Sequence, residues 1–147
     1  MDIENLLKLL KENNVDFVII GATAFPTHGY SRSTMDVDFF IRNTKDNAER
    51  TREALKQFGY DVTDVSVDDL MNFKVLIRQY VLETDIHPFV KGVLFDDVWA
   101  NKVSDKIGTT DVYVAGLDDL IKMKKAAGRP KDLEDLKVLE ELKKDKL

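Results

Sequence analysis

The run Phe17-Val18-Ile19-Ile20, closed at once by Gly21, constrains the fold of this chain more than any other segment. Four consecutive aromatic or β-branched residues leave no polar side, so a strand built from them is buried on both faces. Helices are available to cover it. Ile3, Leu6, Leu7 and Leu10 fall at three- and four-residue spacing, which predicts an amphipathic helix from about Asp2 to Glu12, capped by Asp2 and ended near Asn13-Asn14. Asp36-Val37-Asp38-Phe39-Phe40-Ile41 reads as a second strand bounded by Asn43. Between the two strands, Thr23 to roughly Gly29 reads as a short helix and Ser31–Ser33 as polar loop.

Further along, Thr44 looks like an N-cap for a helix ending at Gly59, and Tyr60–Val65 reads as a strand. Phe73–Tyr80 and Val81–His87 form two more, a candidate hairpin stopped by Pro88; Asn101–Ile107 and Asp111–Val114, joined around Gly108, form another. Leu117–Ala127 and Pro130–Lys144 are helical, with Leu133, Leu136, Leu139 and Leu142 as the buried stripe of the second. Alternating elements early and hairpins later imply an α+β (two-layer α/β) architecture with a mixed β-sheet flanked by helices. At 147 residues the expectation is one domain over 1–147, with a core of about 15–115 and C-terminal helices over 117–145 packed on it.

Charge narrows the partners. The 27 acids against 22 bases give a net charge of −5, which argues against broad nucleic-acid binding because phosphate neutralisation dominates such affinity. A local basic site remains compatible with it. No stretch approaches the ~20 apolar residues of a membrane span, and the acidic start lacks a secretion-signal pattern. The absence of cysteine excludes disulfides and thiolate zinc sites. A cytoplasmic protein with no membrane contact is the expectation.

The chemistry centres on Asp36 and Asp38. Side chains alternate along a strand, so the two carboxylates share a face while Val37 and Phe39 turn to the core. Two carboxylates held close repel by roughly 4 kcal/mol at an effective dielectric near 20, and one protonates unless a cation joins them. With no base in the strand and no cysteine in the chain, an oxygen-ligated Mg²⁺ or Mn²⁺ is the natural partner. An exposed strand start would also carry the pair without any ion, although acids are depleted in strands. Gly21, at a strand-to-helix turn, lets backbone approach a ligand, free N–H groups there can hold phosphate, and Thr23 adds a hydroxyl. A plain turn explains Gly21 equally well when it is taken alone.

Gly21-Ala22 followed by Asp36-Val37-Asp38 resembles the signature of the nucleotidyltransferase superfamily, a small-residue turn before an Asp-hydrophobic-Asp strand. The string His28-Gly29-Tyr30-Ser31-Arg32-Ser33-Thr34-Met35-Asp36-Val37-Asp38 is similar to the small bacterial branch that includes AbiEii-type abortive-infection toxins. So is the tail from Leu117 through Lys124 to Gly128-Arg129-Pro130-Lys131-Asp132-Leu133-Glu134-Asp135-Leu136. The resemblance runs from about Val15 to Leu142 and implies the nucleotidyltransferase fold. It implies a third carboxylate on a neighbouring strand, for which Asp85 is the best match and Glu83 the rival. It further implies two Mg²⁺ ions (Mn²⁺ as substitute) on Asp36, Asp38 and Asp85, and an NTP donor such as ATP. In such two-metal sites the acceptor hydroxyl attacks in line and pyrophosphate leaves.

Gly21, Ala22, Thr23, Arg32, Lys124, Arg129 and Lys131 are the residues expected around the triphosphate. By composition Lys124 and Lys131 also fit a solvated helix face, and Arg129 fits a salt bridge to Asp132. His28 reads as a packing or hydrogen-bonding group; His87 could face the same way as Asp85 but is more simply a strand-end residue. Ala22 departs from the family, which carries glycine or serine there, so Thr23 is the nearest hydroxyl. Implied acceptors are an RNA 3′ end, a protein hydroxyl or a small molecule, with a toxin–antitoxin role and a partner protein or homodimer completing so small an enzyme. The competing function is a catalytically inactive module of the same fold that binds and regulates a partner.

Overall fold

A strand with no polar face needs a neighbour on each edge, and β1 (Phe17–Ile20) has both in the computed structural model, which describes residues 2–34 and 36–146. Met35, inside the motif string read from sequence, lies outside the described residues. On one side β1 pairs antiparallel with β2 (Asp36–Ile41), matching Ile20 to Asp38; on the other it runs parallel to β6 (Thr110–Val114). β2 pairs in parallel with β4 (Glu83–His87), which takes β3 (Val75–Ile77) as an antiparallel edge. β5 (Val103–Ile107) closes the other edge against β6. The sheet order is therefore β3-β4-β2-β1-β6-β5, mixed as expected.

Helices α1 (Ile3–Glu12) and α2 (Lys45–Phe58) carry the caps read from sequence: Asn5 N–H donates to Asp2, and Asn47 N–H to Thr44. Glu4 of α1 accepts from both the backbone N–H and the hydroxyl of Thr109, tying the helix to the β5–β6 turn. α5 (Leu117–Ala127) and α6 (Pro130–Asp145) follow in the expected places, and Leu120, Ile121, Met123 and Leu139 join the core that contains β1. Of the leucine stripe on α6 only Leu139 is fully buried; Leu133 is 51% exposed.

Other elements depart from the sequence expectations. The segment 60–65 is not a strand: the Arg52 guanidinium donates to the carbonyls of Val65 and Val62, satisfying acceptors that a partner strand would otherwise use. Tyr60 and Val62 are buried from an irregular loop. Two short helices were not expected: α3 (Val67–Asn72), whose Ser66 and Asp69 form a reciprocal capping box, and α4 (Phe95–Ala100). The helix expected over Thr23–Gly29 is two 3₁₀ turns, Gly21–Ala24 and Pro26–His28. No helix among the described residues is long and apolar enough to cross a membrane.

Candidate active site

Sheet register brings the acids together. The β2–β4 pairing sets Asp38 beside Asp85 and Asp36 beside Glu83. Adjacent residues on paired strands share a face, so all four carboxyls crowd one side of two strands. One ligand atom each from Asp38, Asp85 and His87 lies within 4.8 Å of the others. His87 Nε2 sits 2.8 Å from Asp38 Oδ1, while Arg78 Nη1 donates to Asp85 Oδ1 at 2.6 Å. Asp36 stands outside that tight group and meets Glu83. The neighbouring Asp36 carboxyl, aided by lost hydration, holds Glu83 above the usual carboxylate range. Glu83, the rival to Asp85, thus sits beside the start of the acidic strand, whereas Asp85 sits beside Asp38.

Gly21 has φ +71°, and a Cβ placed there would stand 2.6 Å from Asp38 Oδ2. Only glycine lets the turn press so closely on the carboxylate. The donor set, two carboxylates with one imidazole beside a bare backbone turn, fits a divalent cation.

The remaining residues singled out from sequence divide. All of them except Thr23 line one cleft of about 240 Å³, where Gly21, Ala22, Arg32, Lys124, Arg129 and Lys131 meet Asp36, Asp38 and Asp85. Thr23 turns its hydroxyl to the carbonyl of Asp36 at 3.2 Å, so it fastens the turn to β2 instead of facing the cleft. Arg32 makes two bonds of 2.9 Å to Asp135, and Lys124 bridges Asp132 at 3.2 Å and Asp135 at 3.1 Å. Arg129 takes the salt bridge to Asp132, at 2.7 Å. Lys131 is exposed at the rim.

The cations are therefore anchored, by Asp132, which the sequence offered as a partner of Arg129 alone, and by Asp135, which sequence reasoning passed over. Asp132 and Asp135 are buried on α6. Burial pushes both carboxyls up, but hydrogen bonds from cations outweigh it: Arg129 and Lys124 hold Asp132 down at about 2, and Arg32 and Lys124 lower Asp135. Three cations against two acids leave this cluster net positive. His28 donates through Nε2 to the carbonyl of Ala115 at 2.8 Å, away from the acids. His87, read from sequence mainly as a strand-end residue, instead meets Asp38, and Arg78, on Asp85, was not singled out. The alternation from Asp85 to His87 signals the first; Arg78 follows the edge strand and carries no such local mark.

A larger hollow of about 610 Å³ lies elsewhere, among Lys11, Asp16, Trp99 and Tyr113. It holds neither the glycine turn nor the acids of β2 and β4, so the chemistry does not converge there.

A mixed sheet flanked by helices, with a glycine turn over an acidic strand and a second acid on the adjoining strand, defines the nucleotidyltransferase class of α+β fold. Over residues 1–147 the chain matches the family described as nucleotidyl transferase of unknown function (DUF2204), and it belongs to that family. A similar solved structure is that of a Thermotoga maritima protein provisionally described as a nucleotidyltransferase. It is 16% identical, with a TM-score of 0.63, covering 92% of this chain and 88% of the other. At that identity the likeness concerns the fold alone. No curated protein sequence matches the chain.

Proposed function

We propose that the chain transfers a nucleoside monophosphate from an NTP to a hydroxyl acceptor, with Asp36, Asp38 and Asp85 holding the divalent metal. The observation that carries this reading is the register that sets Asp38 beside Asp85, with Gly21 pressed against Asp38. Mg²⁺ bound to these carboxylates would neutralise charge on the phosphates and lower the cost of bringing an oxygen nucleophile to them. His87, already on Asp38, orients that carboxylate.

In the reaction the acceptor oxygen bonds to the α-phosphorus, the bond from that phosphorus to the α–β bridging oxygen breaks, and pyrophosphate departs. The hydroxyl proton passes to the Asp85 carboxylate. Arg129, Lys124 and Lys131 line the same cleft as the acids and supply positive charge for the triphosphate. Arg32 and Lys124, held by Asp135, act as a fixed electrostatic surface, which costs no reorganisation when charge develops. The acceptor class is an RNA end, a protein hydroxyl or a small molecule. A toxin–antitoxin role, with ATP among the donors and a partner protein or second copy completing the site, is the setting the AbiEii-like resemblance suggests.

The test is incubation of the protein with each α-labelled NTP, Mg²⁺, and cell RNA, protein and metabolite fractions. Label should move to one fraction, and Asp38→Asn should abolish the transfer while the far-ultraviolet circular dichroism spectrum is kept. Transfer undiminished in Asp38→Asn would reject the site. Stabilisation by NTP without label transfer to any fraction would favour the non-catalytic binding module.

A further inference from the structure

Two of the oxygens placed to face the metal, Asp85 Oδ1 and Asp38 Oδ1, are already met by a cationic or imidazole side chain of the same molecule. Arg78 Nη1 lies 2.6 Å from Asp85 Oδ1, and its Nε lies 3.5 Å from Glu83. Lys74 Nζ approaches the other Asp85 oxygen to 4.0 Å, and His87 holds Asp38. Asp85 is 4% exposed, so water cannot fully replace these partners. Without a cation of some kind the clustered carboxylates would repel by several kcal/mol. Arg78 follows the three-residue edge strand β3, whose Leu76 pairs with Asp85, and its side chain is 39% exposed, with open solvent to move into.

We propose that Arg78 is a built-in stand-in for the divalent cation: it occupies Asp85 in the metal-free protein and is displaced when metal binds. The inference rests on the metal-holding role given above to Asp85. A divalent ion on the Asp85 carboxylate would repel the neighbouring guanidinium and draw off the charge that its hydrogen bond uses, so loading the site favours release of Arg78. The tether is asymmetric. Arg78 makes a direct bond to Asp85, whereas Lys74 only approaches it, so loss of Arg78 changes more than the local charge.

Two measurements on the full chain test this. In the first, Mn²⁺ affinity is read by electron paramagnetic resonance for the wild type, Arg78→Gln and Lys74→Gln. Arg78→Gln removes a charge-assisted hydrogen bond that metal must otherwise break, so affinity should tighten by about five- to tenfold, and clearly more than in Lys74→Gln. Equal tightening in both variants would reduce the effect to plain charge repulsion and overturn displacement; unchanged or weaker binding in Arg78→Gln would overturn it as well. In the second, the Arg78 Nε–Hε resonance is followed by nuclear magnetic resonance as Mg²⁺ is added. It should move to the position of a free guanidinium at the same Mg²⁺ concentration that shifts the Asp38 and Asp85 amides. Amide shifts with an unmoved Arg78 signal would sink the proposal alone. No amide shift at any Mg²⁺ concentration would instead remove the metal-holding reading beneath it.

Discussion

Replacing Gly21 by alanine should separate backbone strain from damage to the acidic pair, because the structure offers a matched control. Gly21 has φ +71° and Gly29 has φ +99°, so alanine at either must adopt a left-handed backbone, at a cost of about 1 kcal/mol or somewhat more. Their surroundings differ. A Cβ on Gly29 meets only Leu142 Cδ2 at 3.7 Å, an ordinary contact, whereas a Cβ on Gly21 meets Asp38 Oδ2 at 2.6 Å. The Asp38 carboxylate must then swing off, stretching its bond to His87. We expect Gly29→Ala to lower stability by about 1 kcal/mol, a fall in Tm of about 2–4 °C for a chain of this size. Gly21→Ala should lose about 2 kcal/mol, or about 4–8 °C. Displacing a ligand by about 1 Å should reduce NMP transfer by about 100-fold in Gly21→Ala, with Mn²⁺ affinity falling alongside it, while Gly29→Ala keeps both. The assays are thermal unfolding by circular dichroism, Mn²⁺ titration and label transfer from an α-labelled NTP. If the two variants lose stability alike and Gly21→Ala still binds Mn²⁺ as the wild type does, the close approach of the turn to Asp38 has no functional meaning.

The α6 acids yield further tests. Asp132 is held at about 2 in the folded protein, below its unfolded value of 3.8, so it stabilises the fold above pH 4 and loses that contribution as pH falls toward 2. The difference corresponds to about 2 kcal/mol, and urea unfolding across that window should be flatter for Asp132→Asn than for the wild type. Asp135→Ala removes a buried acid from between Arg32 and Lys124, and leaves Lys124 largely buried beside Asp132. It should destabilise by about 3 kcal/mol in the same assay, and a loss below 0.5 kcal/mol would show that the network is dispensable. Asp85→Asn should abolish transfer while Glu83→Gln leaves most of it; the reverse ranking in label transfer would make Glu83 the third carboxylate.

What the sequence made legible was what local pattern encodes. Phe17–Ile20 and Asp36–Ile41 carry β-branched and aromatic residues, so their strands could be read directly, and alternation alone placed Asp36 and Asp38 on one face. The same alternation was misleading at Tyr60–Val65, where buried side chains belong to a loop whose carbonyls are satisfied by Arg52 from α2. The Ser66–Asp69 capping box was a local signal of α3 that went unused. The partners of the cations were beyond local pattern. Arg32 and Asp135 are 103 positions apart in sequence, and only the packing of α6 against the loop before β2 joins them. Arg78 meets Asp85 because β3 turns back antiparallel on β4, a pairing that the apolar stretch allowed without fixing its register. Arg129 and Asp132, three residues apart, were close enough for the salt bridge to be weighed from sequence.

The central claim is that carboxylates on β2 and β4 form one divalent-cation site. Crystals grown with Mn²⁺ and a non-hydrolysable NTP, measured for anomalous scattering, test it most directly. A manganese peak should stand about 2.2 Å from oxygens of both Asp38 and Asp85, with Arg78 turned away. Well-ordered nucleotide with no manganese at those two side chains, or manganese bound elsewhere on the chain, would contradict it.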